Sequence, residues 1–245
     1  MQVLESDDSR ASAVTAAIRT GNLPELRRLL DAHPGLATIR IVRRGAAAGE
    51  RGLLHIATDW PGHHPRTAEV IRALVAAGAD PTARFVGAHE ETPLHWAASN
   101  DDVPALDALV EAGADIEARG GVIGGGTPLA DARAFGQWRA AHRLLAHGAR
   151  ADLHDAATLG LLDRVTALLA ASPAPPGDIT SAFWGACHGG HLSTVQYLLS
   201  QGADINWIGY DDLTPLDVAL TSADTSLGDW LRTRGAVTRA EISSS

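Results

Sequence analysis

The sequence predicts an α-solenoid of about seven helix–turn–helix units. Three observations carry that prediction. The segment Thr92-Pro93-Leu94-His95-Trp96-Ala97 returns as Thr127-Pro128-Leu129-Ala130-Asp131-Ala132 and as Thr214-Pro215-Leu216-Asp217-Val218-Ala219. A Gly-Ala pair follows each start by about twenty residues, at Gly113-Ala114, Gly148-Ala149 and Gly235-Ala236. Self-similarity at a period near 33 residues marks a stacked array rather than one globular core.

Each unit is justified in the same way. Aligned on the Leu of the first motif and the Gly of the second, units start near Ser12, Gly52, Thr92, Thr127, Ala151, Ser181 and Thr214. The Thr is placed to cap the first helix, and the Pro sits in its first turn, where a missing N–H costs nothing. Leu pairs at Leu29-Leu30, Leu144-Leu145, Leu168-Leu169 and Leu198-Leu199 fall on second helices and face the next unit. Gly78, Gly113, Gly148 and Gly202 follow those helices as left-handed terminators. The end units expose Arg19, Arg27 and Arg28 on one side and Asp224, Asp229, Arg232 and Arg234 on the other, as a finite stack requires. Residues 1–11 and the tail 239–245 are expected to be flexible, leaving 12–238 as the repeat domain.

Thr-Pro-Leu-His-x-Ala followed by Gly-Ala-Asp resembles the ankyrin repeat over residues 12 to about 238. That resemblance implies short β-hairpin fingers between units and protein binding through a concave face. It implies a structural hydrogen-bonding role for the motif histidines His55, His95 and His154. It places the fifth motif position on the concave side: Ala16, Ile56, Trp96, Asp131, Asp155, Gly185 and Val218. The eighth and ninth positions join it, among them Asp59, Trp60, Ser99, Asn100, Phe135, His188 and Ser222.

Composition narrows the chemistry. The formal net charge of −9 argues against a duplex nucleic-acid binder, which needs many phosphate contacts. All 20 basic residues are Arg. Without a Lys there is no Walker-type phosphate loop and no Schiff-base cofactor. Lys avoidance beside abundant Ala and Arg points to a GC-rich, bacterial genome. The single Cys187 precludes an internal disulfide and a multi-thiolate zinc site. Met1 to Arg10 does not read as a signal peptide, and no 18-residue apolar run is present. A cytoplasmic protein without cofactor, metal or membrane span is expected.

Departures from regularity locate the candidate site. Unit 2 carries about five extra residues between its helices, within Asp59 to Thr67, and a long lead-in around Arg43 to Arg51. Units 4 and 5 are joined with about nine residues missing, so a finger is absent there. The loop Ala171 to Ile179, with three prolines, is also non-standard. Uneven fingers around a missing one make a notch, and a notch is a candidate pocket. Its expected lining is Asp59, Trp60, Trp96, Asp131, Asp155 and His188, with Trp184 nearby.

Two readings remain open. An acidic groove with tryptophans is a protein-binding face, because Trp is enriched at interaction hot spots. Alternatively, Asp131 and Asp155 act as an acid/base pair on a small ligand, with His188 assisting and Trp60, Trp96 and Trp184 as walls. A third role for any one of these acids is to cap a helix. Cys187 replaces a small residue between helices and reads as packing rather than as a nucleophile. His63-His64 beside Asp59 lacks zinc spacing. Gly120-Gly121 and Gly124-Gly125-Gly126 read as a flexible finger rather than an anion cradle. Trp207 and Tyr210 place two aromatics on a finger tip, which marks a contact surface.

Overall fold

The computed structural model describes residues 2–45, 48–221 and 225–243. Asp224 and Ser222, placed above in the terminal cap and the groove, lie outside them. The chain divides into two compact units, Met1–Arg150 and Ala151–Ser245.

The first unit holds four helix pairs: α1 (Ser9–Arg19) with α2 (Leu23–Ala32), α3 (Leu53–Thr58) with α4 (Thr67–Ala76), α5 (Pro93–Ser99) with α6 (Val103–Glu111), and α7 (Pro128–Ala134) with α8 (Trp138–Ala146). First helices stack in one layer, α1 on α3 on α5 on α7. Second helices stack in another, α2 on α4 on α6 on α8. The second unit repeats the scheme with α9 (Leu153–Thr158), α10 (Leu162–Ala171), α11 (Pro176–His188), α12 (Leu192–Ser200), α13 (Pro215–Ala219) and α14 (Ser226–Thr233), and closes with α15 (Arg239–Ser243). Among the described residues this gives the seven pairs predicted. No described helix is long and apolar enough to cross a membrane.

The motif chemistry explains the elements. Thr127 Oγ1 accepts from Ala130 N and Thr214 Oγ1 from Asp217 N, while Pro93, Pro128 and Pro215 each open their helix. The motif Leu is the hub of each unit: Leu54, Leu94, Leu129 and Leu216 are buried. Second helices end on Gly78, Gly113, Gly148 and Gly202 with φ between +91° and +100°. A β-carbon there is costly, so glycine makes the stop.

The structure revises several boundaries. Within residues 1–11, β1 (Val3–Leu4) pairs in parallel with β2 (Arg40–Arg43), and α1 begins at Ser9, capped by Asp8. Leu4 is buried, which supplies the apolar anchor for that pairing. The long lead-in to the second repeat is a hairpin, because β2 pairs antiparallel with β3 (Gly49–Gly52). Ile41 is buried in that sheet. The proline loop is shorter than expected. Pro176 starts α11 five residues ahead of Ser181, since a proline in the first turn and Asp178 beside it favour a helix start. In the tail, Arg239 N donates to Asp217 Oδ2 as α15 begins. α8 ends at Ala146 and α9 starts at Leu153, a connection as short as the sequence indicates.

Candidate functional site

The first unit contains a pocket of about 660 Å3 lined by residues between Ala48 and Gln137. Six of the predicted groove residues line it: Asp59, Trp60, Trp96, Ser99, Asn100 and Phe135. Phe85, His89 and Glu91, which the sequence reading did not single out, complete it with Ala48, Ala88, Val122 and Gln137.

The pocket is built from the finger that leads into α5. Glu50 and Val86 exchange backbone hydrogen bonds, joining that finger to its predecessor. Glu91 is held through its carbonyl, which accepts from Phe85 N at 2.7 Å and from His55 Nε2 at 3.1 Å. The motif histidine of one repeat thus positions the residue just before Thr92 of the next. His55 also meets the Trp96 ring edge-on at 5.0 Å, and Phe85 lies 5.5 Å from Trp96. The Phe85 and Trp96 rings form the inner wall, with His55 packed behind them. Trp60 and Phe135 stand at the rim, 79% and 47% exposed.

The histidines behave as the resemblance implied. His95 Nδ1 accepts from Thr92 N at 3.1 Å, and its Nε2 reaches Gly126 O at 3.2 Å in the following finger. Burial pulls both His55 and His95 down to about 4, so both are neutral at pH 7. His154 Nδ1 lies 2.7 Å from Ser181 Oγ.

The acids are placed less simply than the sequence indicates. Asp59 is ion-paired with Arg51 and, at 3.2 Å, with Arg19. Its charge is balanced within the fold, and Arg19 is not merely an exposed cap residue. Asp131 was expected on the concave surface but is fully buried, as is Ile56 at the equivalent position of α3. The glycine-rich finger folds over it. Ile123 N donates to Asp131 Oδ1 at 3.3 Å, and Oδ2 has no hydrogen-bond partner. A β-carbon on Gly121 would sit 2.7 Å from both carboxylate oxygens, so only glycine fits this approach. Burial raises the Asp131 pKa from 3.8 to about 7; Ile123 N–H opposes the shift, and the nearby negative charge of Glu91 reinforces it. Glu91 is itself raised by burial, with the Trp96 indole N–H pulling the other way. The charge of Glu91 is therefore felt at Asp131 beneath the finger.

Asp155 has a different employment. In the second unit its carboxylate accepts from Asp152 N, while Asp152 Oδ1 accepts from Asp155 N: a capping box at the start of α9. This is the capping role weighed for it above. His188 stacks on Trp184 with ring centres 5.6 Å apart. Trp184 Nε1 donates to Leu213 O, and its ring meets Tyr210 at 5.1 Å. Tyr210 contacts Trp207 edge-on at 5.8 Å and shares a hydrogen bond with Ser181 Oγ. Trp184, His188, Trp207 and Tyr210 thus form one aromatic cluster within that unit. Trp207 is half-buried there rather than exposed at a tip, while Tyr210 stays 48% exposed.

Two further segments have local partners. His63 Nε2 reaches Asn100 O at 2.9 Å. The glycine finger spends its N–H groups on itself: Gly120 N on Gly125 O, Gly121 N on Gly126 O, and Gly126 N on Ile123 O. Those amides are not presented to an anion. Burial pushes the Cys187 thiol up, away from thiolate.

The model for "Ankyrin repeats (3 copies)" matches residues 54–155, and that for "Ankyrin repeat" matches 178–209. The human ASB11 ankyrin repeat domain is similar in structure with a TM-score of 0.53 at 20% identity, covering 91% of this chain and 98% of that one. The ankyrin repeat domain of Bcl-3, described as a unique member of the IkappaB protein family, gives a TM-score of 0.51 at 27% identity, covering 90% and 97%. No curated protein matches the sequence.

Proposed function

Because this chain belongs to the ankyrin repeat family, we propose that it is a recognition module whose first unit grips a partner protein through the aromatic-rimmed pocket. One observation carries this reading: Trp60 and Phe135, two large rings, stand exposed at the mouth of a 660 Å3 hollow. Exposed rings around a concavity are a surface that gains by being covered. The scaffold behind them is stiff. His63 N donates to Asp102 Oδ2 at 2.7 Å and Asn100 Nδ2 to Thr58 O at 2.9 Å, which fixes the segment that carries Trp60. A pre-ordered paratope loses little entropy on binding.

The test is site-specific photocrosslinking. A benzoylphenylalanine at position 60 or 135 is expected to trap the partner in cells. The same residue at Arg72, exposed on α4 and paired there with Glu111, is expected to trap nothing. Equal trapping at all three positions would remove the pocket from the interface.

A small-ligand reading is favoured by a separate observation. The volume falls in the range of metabolite sites, about 300–1,000 Å3, and the pocket holds a carboxyl, Glu91, whose pKa burial raises. On this reading Glu91 is the acid/base group, while Asp131 lies covered beneath the glycine finger. Asp155 and His188 have structural partners of their own. A metabolite library that leaves the melting temperature of the wild type unchanged would count against it.

A further inference from the structure

The pocket has acceptors and negative charge, with His89 beside Glu91. Among the described lining residues there is no Arg. The guanidiniums of Arg19 and Arg51 are already held by Asp59. Ser99 Oγ is buried at the wall without a hydrogen-bond partner. Glu91 lines the hollow together with Trp96 and Phe85, whose ring centres lie 5.5 Å apart, and Trp60 stands exposed at the mouth. A carboxylate in an aromatic-lined hollow fits one kind of group, a positively charged nitrogen that donates hydrogen bonds and lies over ring faces.

We propose that the pocket takes an ammonium or guanidinium side chain presented by the partner, anchored by Glu91 among the Trp60, Phe85 and Trp96 rings. This rests on the groove reading above and adds to it the chemistry of the anchor.

Isothermal titration separates this from simple hydrophobic docking. The probes are N-acetyl-arginine N-methylamide and its uncharged counterpart built on citrulline. The arginine probe is expected to bind about tenfold tighter than the citrulline probe at about pH 8. Glu91→Gln, with its fold verified by circular dichroism, is expected to bind both probes alike. Equal affinity for the two probes, no binding of either, or unchanged discrimination in Glu91→Gln overturns the proposal. Crosslinking through positions 60 and 135 would still succeed in that case if the groove reading alone is right.

Discussion

At Asp131 a carboxyl group meets burial that hydrogen bonds from the Ile123 and Val122 backbone only partly offset. Its pKa rises from 3.8 to about 7, so the folded chain holds a proton that the unfolded chain releases across that interval. Stability must then fall as pH climbs from about 4 to 7 and level off above, by about 4 kcal/mol at most. Asp131→Asn keeps the shape and removes the titration. Urea unfolding of wild type and variant should diverge steadily over that range, with the variant ahead at pH 8. A constant difference would show that Asp131 does not carry the proton. The motif histidines act with the opposite sign. His55 and His95 are depressed to about 4, so the unfolded chain binds protons below 6.5 that the folded chain refuses. Their contribution is complete above 6.5 and is lost as pH falls toward 4. His95→Gln should flatten the acid limb of the stability curve. It should also cost about 2 kcal/mol at neutral pH, by stranding the Thr92 N–H and the Gly126 carbonyl.

Among the elements, the segment between α3 and α4 shows how an irregular insert becomes a rigid one. Asp102 does two jobs: Oδ1 caps α6 through Ala105 N, and Oδ2 accepts from His63 N. Gly62 lies against Asn100, and a β-carbon there would approach its Cβ to 2.9 Å. Asp102→Ala is therefore expected to cost about 2–3 kcal/mol, and to speed amide exchange at His63 and Ala105 together. Exchange that rises at Ala105 alone would mean the insert is held by something else. This element also marks how far the sequence was legible. Helix pairs, glycine stops and motif histidines follow a grammar of neighbours within one repeat, and they were readable. The latch between His63 and Asp102 spans 39 residues and has no sequence signal. The same distance problem hid Glu91, which owes its place to His55 of the preceding repeat. It hid the cover over Asp131 as well, because an apparently flexible run of glycines folds into a lid only once Asp131 is beneath it. Trp60, Trp96, Ser99, Asn100 and Phe135 share one pocket because their positions recur at fixed places within the repeat.

At the scale of the whole molecule, charge is arranged so that arginines are largely consumed. Arg19 and Arg51 pair with Asp59, Arg28 with Glu25, Arg72 with Glu111, Arg143 with Asp107, and Arg239 with Asp212. Most of these pairs are exposed and add little stability. Their larger effect is to leave the acidic excess, −9 in formal charge, as the field an approaching molecule meets. A cationic partner is steered by that field, and steering acts on the encounter rather than on the finished contact. Salt should therefore slow association and leave dissociation nearly untouched. For a peptide bearing the arginine anchor, stopped-flow tryptophan fluorescence is expected to show kon falling about tenfold between about 20 mM and about 500 mM salt, as the Debye length contracts from roughly 20 Å to about 4 Å. The citrulline version of the same peptide should associate at a rate nearly independent of salt. If both peptides slow equally, the field does not select charge, and the acidic surface serves solubility alone. If koff of the arginine peptide rises with salt as steeply as kon falls, its cation stays in screened solvent at the rim and never reaches Glu91.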